Sequence, residues 1–167
     1  MVSPILLDPL NMKDLDIPNF GELLAPYLND VPSDALPFLL SQLERTAADR
    51  YRGWAEQVPA ERQGLLECAA SEDEIADRVE ALLPPTEEHR QRVLSILPSA
   101  KDTYYQVFEG HTAVEQMTIQ ANAERQGASA WQGLKNAYPQ HAAAMDELSA
   151  IELKSADCVS AIVARLN

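Results

Sequence analysis

Residues 44–81 read ERTAADRYRGWAEQVPAERQGLLECAASEDEIADRVEA, and residues 124–161 read ERQGASAWQGLKNAYPQHAAAMDELSAIELKSADCVSA. The two stretches align without a gap at an offset of 80 residues, with identities at the pairs Glu44/Glu124, Gly53/Gly133, Pro59/Pro139, Glu67/Glu147, Glu72/Glu152, Ala76/Ala156, Asp77/Asp157 and Val79/Val159. A repeat of this length indicates one structural unit that occurs twice. Each unit is predicted to be a helical hairpin that turns at Pro59 or Pro139, because proline ends one helix and suits the first turn of the next.

The register of each hairpin places its two glutamates at the same height. Glu44 lies fifteen residues before Pro59 and Glu72 lies thirteen residues after it. At ~1.5 Å per helical residue, both are roughly 20 Å from the turn. The second copy repeats this arithmetic with Glu124 and Glu152, so the four side chains meet in one layer if the hairpins pack together.

The four glutamates also occupy the apolar faces of their helices. The second helices carry the stripes Leu65, Cys68, Glu72, Ile75, Val79, Leu82 and Met145, Leu148, Glu152, Ser155, Val159, Ile162, Leu166. Spacings of three and four residues are typical of a helix face that packs into a bundle core. Burial and mutual repulsion raise the pKa of carboxyl groups in such a place. The layer therefore requires either a bound cation or shared protons.

This arrangement resembles the ferritin-like superfamily of di-iron carboxylate proteins, most closely its rubrerythrin-type branch, over about residues 34–167. Those bundles take one glutamate from the first helix of each hairpin and a Glu-x-x-His motif from the second. Glu44 and Glu124 match the single glutamates, and Glu72 and Glu152 match the glutamates of the two motifs. The two histidine positions hold Ile75 and Ser155 instead.

The resemblance implies an all-α, ferritin-like four-helix bundle of two repeated hairpins joined by a long crossover, and an oxidoreductase that uses iron with dioxygen or peroxide. Without imidazole ligands, carboxylate oxygens favour Mn, Fe(III), Mg or Ca, so a di-iron or a manganese site is expected. Our hypothesis has Glu72 and Glu152 as bridging or bidentate ligands and Glu44 and Glu124 as terminal ligands. The alternative is a metal-free scaffold or interaction protein whose site has decayed. Loss of both histidines favours this alternative, whereas retention of four costly buried acids opposes it.

Three polar side chains near the glutamates can supplement the site, namely Gln120, Cys68 and Ser155. Tyr51 and Trp131 occupy positions two turns beyond Glu44 and Glu124. We expect them to pack in the core, although the family also places aromatic residues beside its metals. The three histidines, His89, His111 and His141, do not match the vacant ligand positions, and Tyr104 and Tyr105 carry no signal of their own.

The chain divides into a proline-rich arm, residues 1–33, and the bundle, residues 34–167. The arm is predicted to contain a short helix that starts at Asn19, and it either lies on the bundle or on a neighbouring subunit, or forms a disordered leader. The predicted helices of the bundle are 37–57 after a cap at Ser33 or Asp34, 60–83, a short crossover helix 86–97 that breaks at Pro98, a third helix from Lys101 or His111 to Tyr138, and 140–166.

Composition limits the function classes. A net charge of −13 in 167 residues argues against nucleic acid and against anionic membranes as partners. No run of about 18 apolar residues occurs, and no basic segment followed by an apolar core marks a secretory signal, so we expect a cytoplasmic protein. Metal ions are the predicted partners, and the resemblance adds a homodimer. Cys68 and Cys158 are expected to be buried free thiols.

Overall fold

A computed structural model describes residues 15–167. This part of the chain is all-helical and contains no strand. Its six helices are α1 (Phe20–Leu28), α2 (Leu36–Gln57), α3 (Arg62–Leu82), α4 (Glu87–Gln106), α5 (Ala113–Leu134) and α6 (Ala142–Leu166). Helix α2 packs along α3, α5 packs along α6, and α3 also contacts α6. The predicted all-α class is therefore confirmed for residues 15–167.

The two repeats turn in the same way. Each proline begins a short 3-10 turn, Pro59–Glu61 or Pro139–His141, before the next α-helix starts. The turns are closed by equivalent hydrogen bonds, from the Glu61 amide to the Val58 carbonyl (3.0 Å) and from the His141 amide to the Tyr138 carbonyl (2.9 Å). The predicted turn points are confirmed, and the 3-10 turns delay the helix starts by two residues relative to the prediction.

The crossover helix differs most from the prediction, because α4 continues through Pro98 to Gln106. Proline removes one helical hydrogen bond and normally ends or kinks a helix. Here Pro98 is exposed, as is Leu94, the residue whose carbonyl would have accepted that bond. Val93 before the proline and Ala100 after it are both fully buried, so packing on both sides holds α4 together.

The ends of α5 follow local capping chemistry. Thr112 and Glu115 form a capping box in which each side chain accepts a hydrogen bond from the other residue's amide, so the predicted start near His111 is correct and Lys101 is wrong. The helix ends at Leu134, four residues before the predicted end at Tyr138. Tyr138 precedes Pro139 and has φ −129° and ψ 63°, because proline disfavours the α conformation in the preceding residue.

The helix predicted in the arm is confirmed. The Asn19 side chain accepts a hydrogen bond from the Glu22 amide (3.0 Å) and caps α1, which contacts α4 and α5. Two further hydrogen bonds join the start of α1 to Gln126, from the Phe20 amide (2.8 Å) and to the Pro18 carbonyl (3.0 Å). Residues 1–14 of the predicted arm lie outside the described part, and the division of the chain at residue 33 stays a prediction.

The start of α2 corrects a further prediction. Ser33 and Asp34 belong to a 3-10 turn, Ser33–Ala35, and Ala35 is the N-cap of α2 without any side-chain hydrogen bond.

Within residues 15–167, none of the helices combines the length and the apolar character needed to cross a bilayer.

The glutamates lie between two apolar clusters of the core. One cluster contains Tyr51, Trp54, Leu65, Cys68, Phe108, Met117, Val159 and Ile162, among others. The other contains Ile75, Val79, Trp131, Met145 and Leu148. Along α3, Glu72 follows Cys68 of the first cluster and precedes Ile75 of the second. The polar layer is thus enclosed from above and below by apolar side chains.

Candidate metal centre

Four helices of the bundle each contribute one glutamate to a single cluster. Glu44 comes from α2, Glu72 from α3, Glu124 from α5 and Glu152 from α6. One carboxylate oxygen of each lies within 4.8 Å of the corresponding oxygen of the other three. The convergence that the repeat register predicts is therefore present in the structure.

Burial differs among the four side chains. Glu72, Glu124 and Glu152 are at most 2% exposed, whereas Glu44 is partly exposed. A carboxylate out of contact with water is costly unless hydrogen bonds or a cation compensate it. The hydrogen-bond partners of each carboxylate therefore decide what the cluster requires.

Glu124 has the most complete hydrogen bonding of the three buried glutamates. Its Oε1 accepts one hydrogen bond from the Tyr51 hydroxyl (2.7 Å) and one from Nε2 of Gln120 (2.6 Å). Burial raises the pKa of Tyr51 well above its usual value, so that hydroxyl keeps its proton and acts as the donor. Two donors on one oxygen fix the orientation of the Glu124 carboxyl group.

Glu72 and Glu152 retain oxygens without donors. Oε1 of Glu152 accepts a hydrogen bond from Nε1 of Trp131 (3.0 Å). The other Glu152 oxygen, both oxygens of Glu72 and the Ser155 hydroxyl are buried and have no hydrogen-bond partner. Buried polar atoms are almost always satisfied by protein, water or an ion. Four oxygens in one layer thus remain available to a ligand from outside the chain.

Burial and like charge act together on the acidity of the cluster. Burial raises the pKa of Glu72 and of Glu152 well above the usual value, and the neighbouring carboxylates raise it further. Burial also raises the pKa of Glu44, to about 7. The cluster without a cation therefore holds protons at neutral pH, and these protons must leave when a cation binds.

The residues predicted to supplement the site have different surroundings. Tyr51 and Trp131 are buried in the core as expected, and Gln120 is buried as well. All three side chains donate hydrogen bonds to the glutamates. Ser155 is buried in α6 with its hydroxyl unpaired. The hydrogen bonds of the described residues include none between Cys68 and a glutamate. Ile75, at one of the two histidine positions, is a fully buried member of an apolar cluster.

The thiol of Cys68 has Cys158 as its neighbour instead. Burial and the adjacent Cys158 thiol raise the pKa of Cys68, and both cysteines are free. Cys68 is buried as predicted, whereas Cys158 is only partly buried. No histidine of residues 15–167 joins the glutamate cluster, which agrees with the prediction that none replaces the two missing ligands.

Two further residues support the cluster but were not predicted from the sequence. The Tyr104 hydroxyl donates a short hydrogen bond to Oε1 of Gln120 and so fixes the amide that contacts Glu124. Tyr104 lies on α4, outside the repeat, so no internal comparison could identify it. A Cβ on Gly127 would lie 2.7 Å from Oε1 of Glu152. The sequence did contain a signal for Gly127. The equivalent position in the first repeat holds Ala47, so only the second repeat has a glycine there.

Comparisons with protein-family models, with curated proteins and with solved structures find no match to this chain. The cluster of four buried glutamates in a helical bundle is compatible with a di-iron site, and its own geometry and chemistry are the basis for any functional statement.

Proposed function

We propose that this protein is a ferritin-like metal-binding protein in which Glu44, Glu72, Glu124 and Glu152 hold iron or manganese, and that the metal serves an oxidoreductase reaction with dioxygen or peroxide. The observation that carries the proposal is the set of buried oxygens on Glu72 and Glu152 without a donor. They belong to a cluster whose four carboxylates approach one another within 4.8 Å.

Charge balance supports a cation more strongly than shared protons. Four ionised carboxylates carry a charge of −4, which two divalent cations would offset. Protons can bridge carboxylates in pairs, but that leaves the Ser155 hydroxyl without a partner. Replacing buried charged groups by apolar side chains of similar volume is often stabilising. A cluster kept free of metal would therefore gain stability from apolar replacements. A bound cation gives all four acids a role.

The donor set also favours particular metals. The cluster offers carboxylate oxygens and one hydroxyl, and such hard ligands suit manganese, iron, magnesium and calcium. Glu72 has both oxygens free and Glu152 has one, which supports the hypothesis that these two glutamates are the bridging or bidentate ligands. Their fully buried position between two apolar clusters would keep bulk water away from the metal.

Iron or manganese would supply the redox chemistry when bound, and the protein side chains have separate roles around it. Tyr51 and Gln120 orient Glu124 through their two hydrogen bonds. Trp131 orients Glu152 through its indole N–H. Hydrogen bonds of this kind fix ligand geometry, and their loss typically weakens metal binding by about 10–100-fold. Glu44, the most exposed of the four, is the carboxylate best placed to exchange protons with solvent.

A second candidate is a metal-free scaffold, and the surroundings of Ile75 favour it. In the family motif this position would hold a metal ligand, yet here it is a fully buried apolar residue. Under this candidate the glutamates share protons, and the protein acts through its acidic surface and its N-terminal arm. The two candidates make opposite predictions for metal content.

The test is metal stoichiometry in a double variant. Replacing Glu72 and Glu152 by glutamine removes both ligands that have free oxygens while keeping side-chain volume. Reconstitution with Fe(II) or Mn(II), followed by elemental analysis, should give one or two equivalents in the natural protein and none in this variant. The matched control replaces Glu67 and Glu147, which occur at the same positions of the two repeats and are exposed. Equal stoichiometry in both variants would refute the assignment.

A further inference from the structure

An apolar cavity adjoins the glutamate cluster. It has a volume of about 160 Å³ and lies between α1, α2 and α5. Its walls are largely aliphatic and include Leu24, Leu28, Leu40, Leu43, Ala47 and Ala123. Glu44 and Glu152 also line it, so the cavity reaches two of the four carboxylates. The proposed metal site by itself does not account for an apolar space on this side.

The size of the cavity defines what it can hold. A water molecule occupies about 30 Å³ of liquid, so this volume would need several waters, each with two to four polar partners. The aliphatic walls cannot supply those partners. An enclosed apolar cavity of about 150 Å³ in another protein binds benzene, and this cavity has a similar volume although it is partly open to solvent. A molecule of about six to eight non-hydrogen atoms therefore matches this space better than water does.

The polar groups at the inner end select the charge of the occupant. The carboxylates of Glu44 and Glu152 would repel an anion, and the net charge of the chain is −13. Both polar atoms of the nearby Gln120 amide are already engaged, by Tyr104 and by Glu124. These groups exclude an anion, and the aliphatic walls favour a mainly apolar molecule with at most one small polar end.

The first helix forms one wall of the cavity, which stays partly open to solvent. Phe20, Gly21, Leu24 and Leu28 of α1 all line it. The start of α1 is fixed to Gln126, next to Gly127, by the hydrogen bonds of the Phe20 amide and the Pro18 carbonyl. The wall that α1 provides is therefore part of the described fold, and the arm gains a role in forming this cavity.

We propose that this cavity binds an uncharged, mainly apolar molecule of about six to eight non-hydrogen atoms, such as a monocyclic aromatic compound or a short-chain alcohol. The molecule lies with one end toward Glu44 and Glu152. Its binding depends only on the cavity, and its role as the substrate to be oxidised rests on the proposed function of the glutamate site.

The test is a binding titration of the full chain with uncharged and charged probes of matched size. Toluene and benzyl alcohol are the uncharged probes, and hexanoate is the charged one. Isothermal calorimetry and methyl NMR should show saturable one-to-one binding of the uncharged probes. Hexanoate should bind at least tenfold more weakly. Absence of saturable binding of the uncharged probes, or tighter binding of a charged one, would overturn the proposal.

Two variants locate the site. Ala123→Leu fills part of the cavity and should weaken the binding of toluene at least tenfold, whereas Ala150→Leu, at an exposed position of α6, should leave it unchanged. Leu43→Ala enlarges the cavity and should shift preference at least fivefold from toluene toward propylbenzene. This second variant keeps the test decisive if Ala123→Leu fails to fold. Equal effects of Ala123→Leu and Ala150→Leu, or an unchanged preference in Leu43→Ala, would contradict the location.

Performing the titrations with and without metal separates this proposal from the proposed function. If the natural protein binds the probes but binds no metal, the cavity proposal is supported and only the metal site is refuted. Metal binding without any probe binding would refute the cavity alone.

Discussion

Replacing Gly127 by alanine distinguishes the space that Glu152 needs from the helix propensity of position 127. Glycine in a helix interior is destabilising by about 0.5–1 kcal/mol relative to alanine, so the substitution would stabilise an open helical position. At Gly127, the added Cβ would lie 2.7 Å from Oε1 and 3.1 Å from Cδ of Glu152. Carbon and oxygen atoms do not approach so closely, and the carboxylate must therefore move.

The cost of this movement follows from what holds Glu152. Its side chain is 1% exposed and accepts a hydrogen bond from the Trp131 indole at 3.0 Å. Losing a hydrogen bond to a charged group costs about 1.5–3 kcal/mol. After subtraction of the propensity gain, Gly127→Ala should lower the free energy of unfolding by about 0.5–2.5 kcal/mol. For a chain of this size that corresponds to a fall in Tm of about 1–10 °C.

The assay is thermal unfolding together with metal titration, and Gly53→Ala is the control. No atom lies within 4 Å of a Cβ built on Gly53, so this variant should gain about 1–4 °C from helix propensity. Metal affinity should fall about 10–100-fold in Gly127→Ala, because a ligand is displaced, and stay constant in Gly53→Ala. Stabilisation of both variants with unchanged metal affinity would refute the position assigned to Glu152.

Three further predictions concern single side chains of the core. Tyr51→Phe removes one of the two donors to Glu124 and should lower the free energy of unfolding by about 1.5–3 kcal/mol, measured by urea unfolding; an unchanged midpoint would contradict the role of this hydrogen bond. The raised pKa of Glu44, about 7, means that the folded metal-free protein binds more protons than the unfolded chain between about pH 4.5 and 7. Its Tm should consequently fall as pH rises through this range, and a Tm that rises instead would contradict the raised pKa of Glu44. Iodoacetamide should label Cys158 faster than Cys68 in mass spectra of the native protein, because Cys68 is buried and burial raises its pKa; equal labelling rates would show that Cys68 is accessible.

The repeat made the glutamate layer predictable from the sequence, whereas the contact between Tyr104 and Gln120 could not be predicted. The glutamate layer could be derived because two copies with the same register, one acid on each stripe and a proline at each turn all constrain one another. Tyr104 has no counterpart in the repeat, and its contact with Gln120 depends on how α4 crosses the bundle. That packing is a tertiary property which helical periodicity does not encode.

The length of α4 shows a second limit of prediction from local rules. Proline is an unfavourable residue in a helix interior, and the rule predicts a break at Pro98. The outcome depends on whether the residue with the freed carbonyl is exposed and whether the residues on both sides are packed. Both conditions hold here, because Leu94 is exposed and Val93 and Ala100 are buried. Neither condition can be read from the sequence around the proline alone.

The cavity beside Glu44 likewise could not be predicted. Its walls come from five helices. Its volume depends on the distances between α1, α2 and α5 and on the lengths of the side chains that fill the space between them. Leu24 and Leu28 have the sequence pattern of ordinary core residues. Only the arrangement of the helices shows that these side chains enclose a space next to two carboxylates.

The measurement that tests the central claim most directly is the metal content of the protein purified without chelator, combined with its Tm before and after chelation. A ligand that binds only the folded state raises the apparent stability. We predict one or two equivalents of iron or manganese per chain and a Tm that falls on chelation and recovers on adding metal back. Absence of metal, together with a Tm that does not change after reconstitution with Fe(II) or Mn(II), would contradict a metal site at the four glutamates.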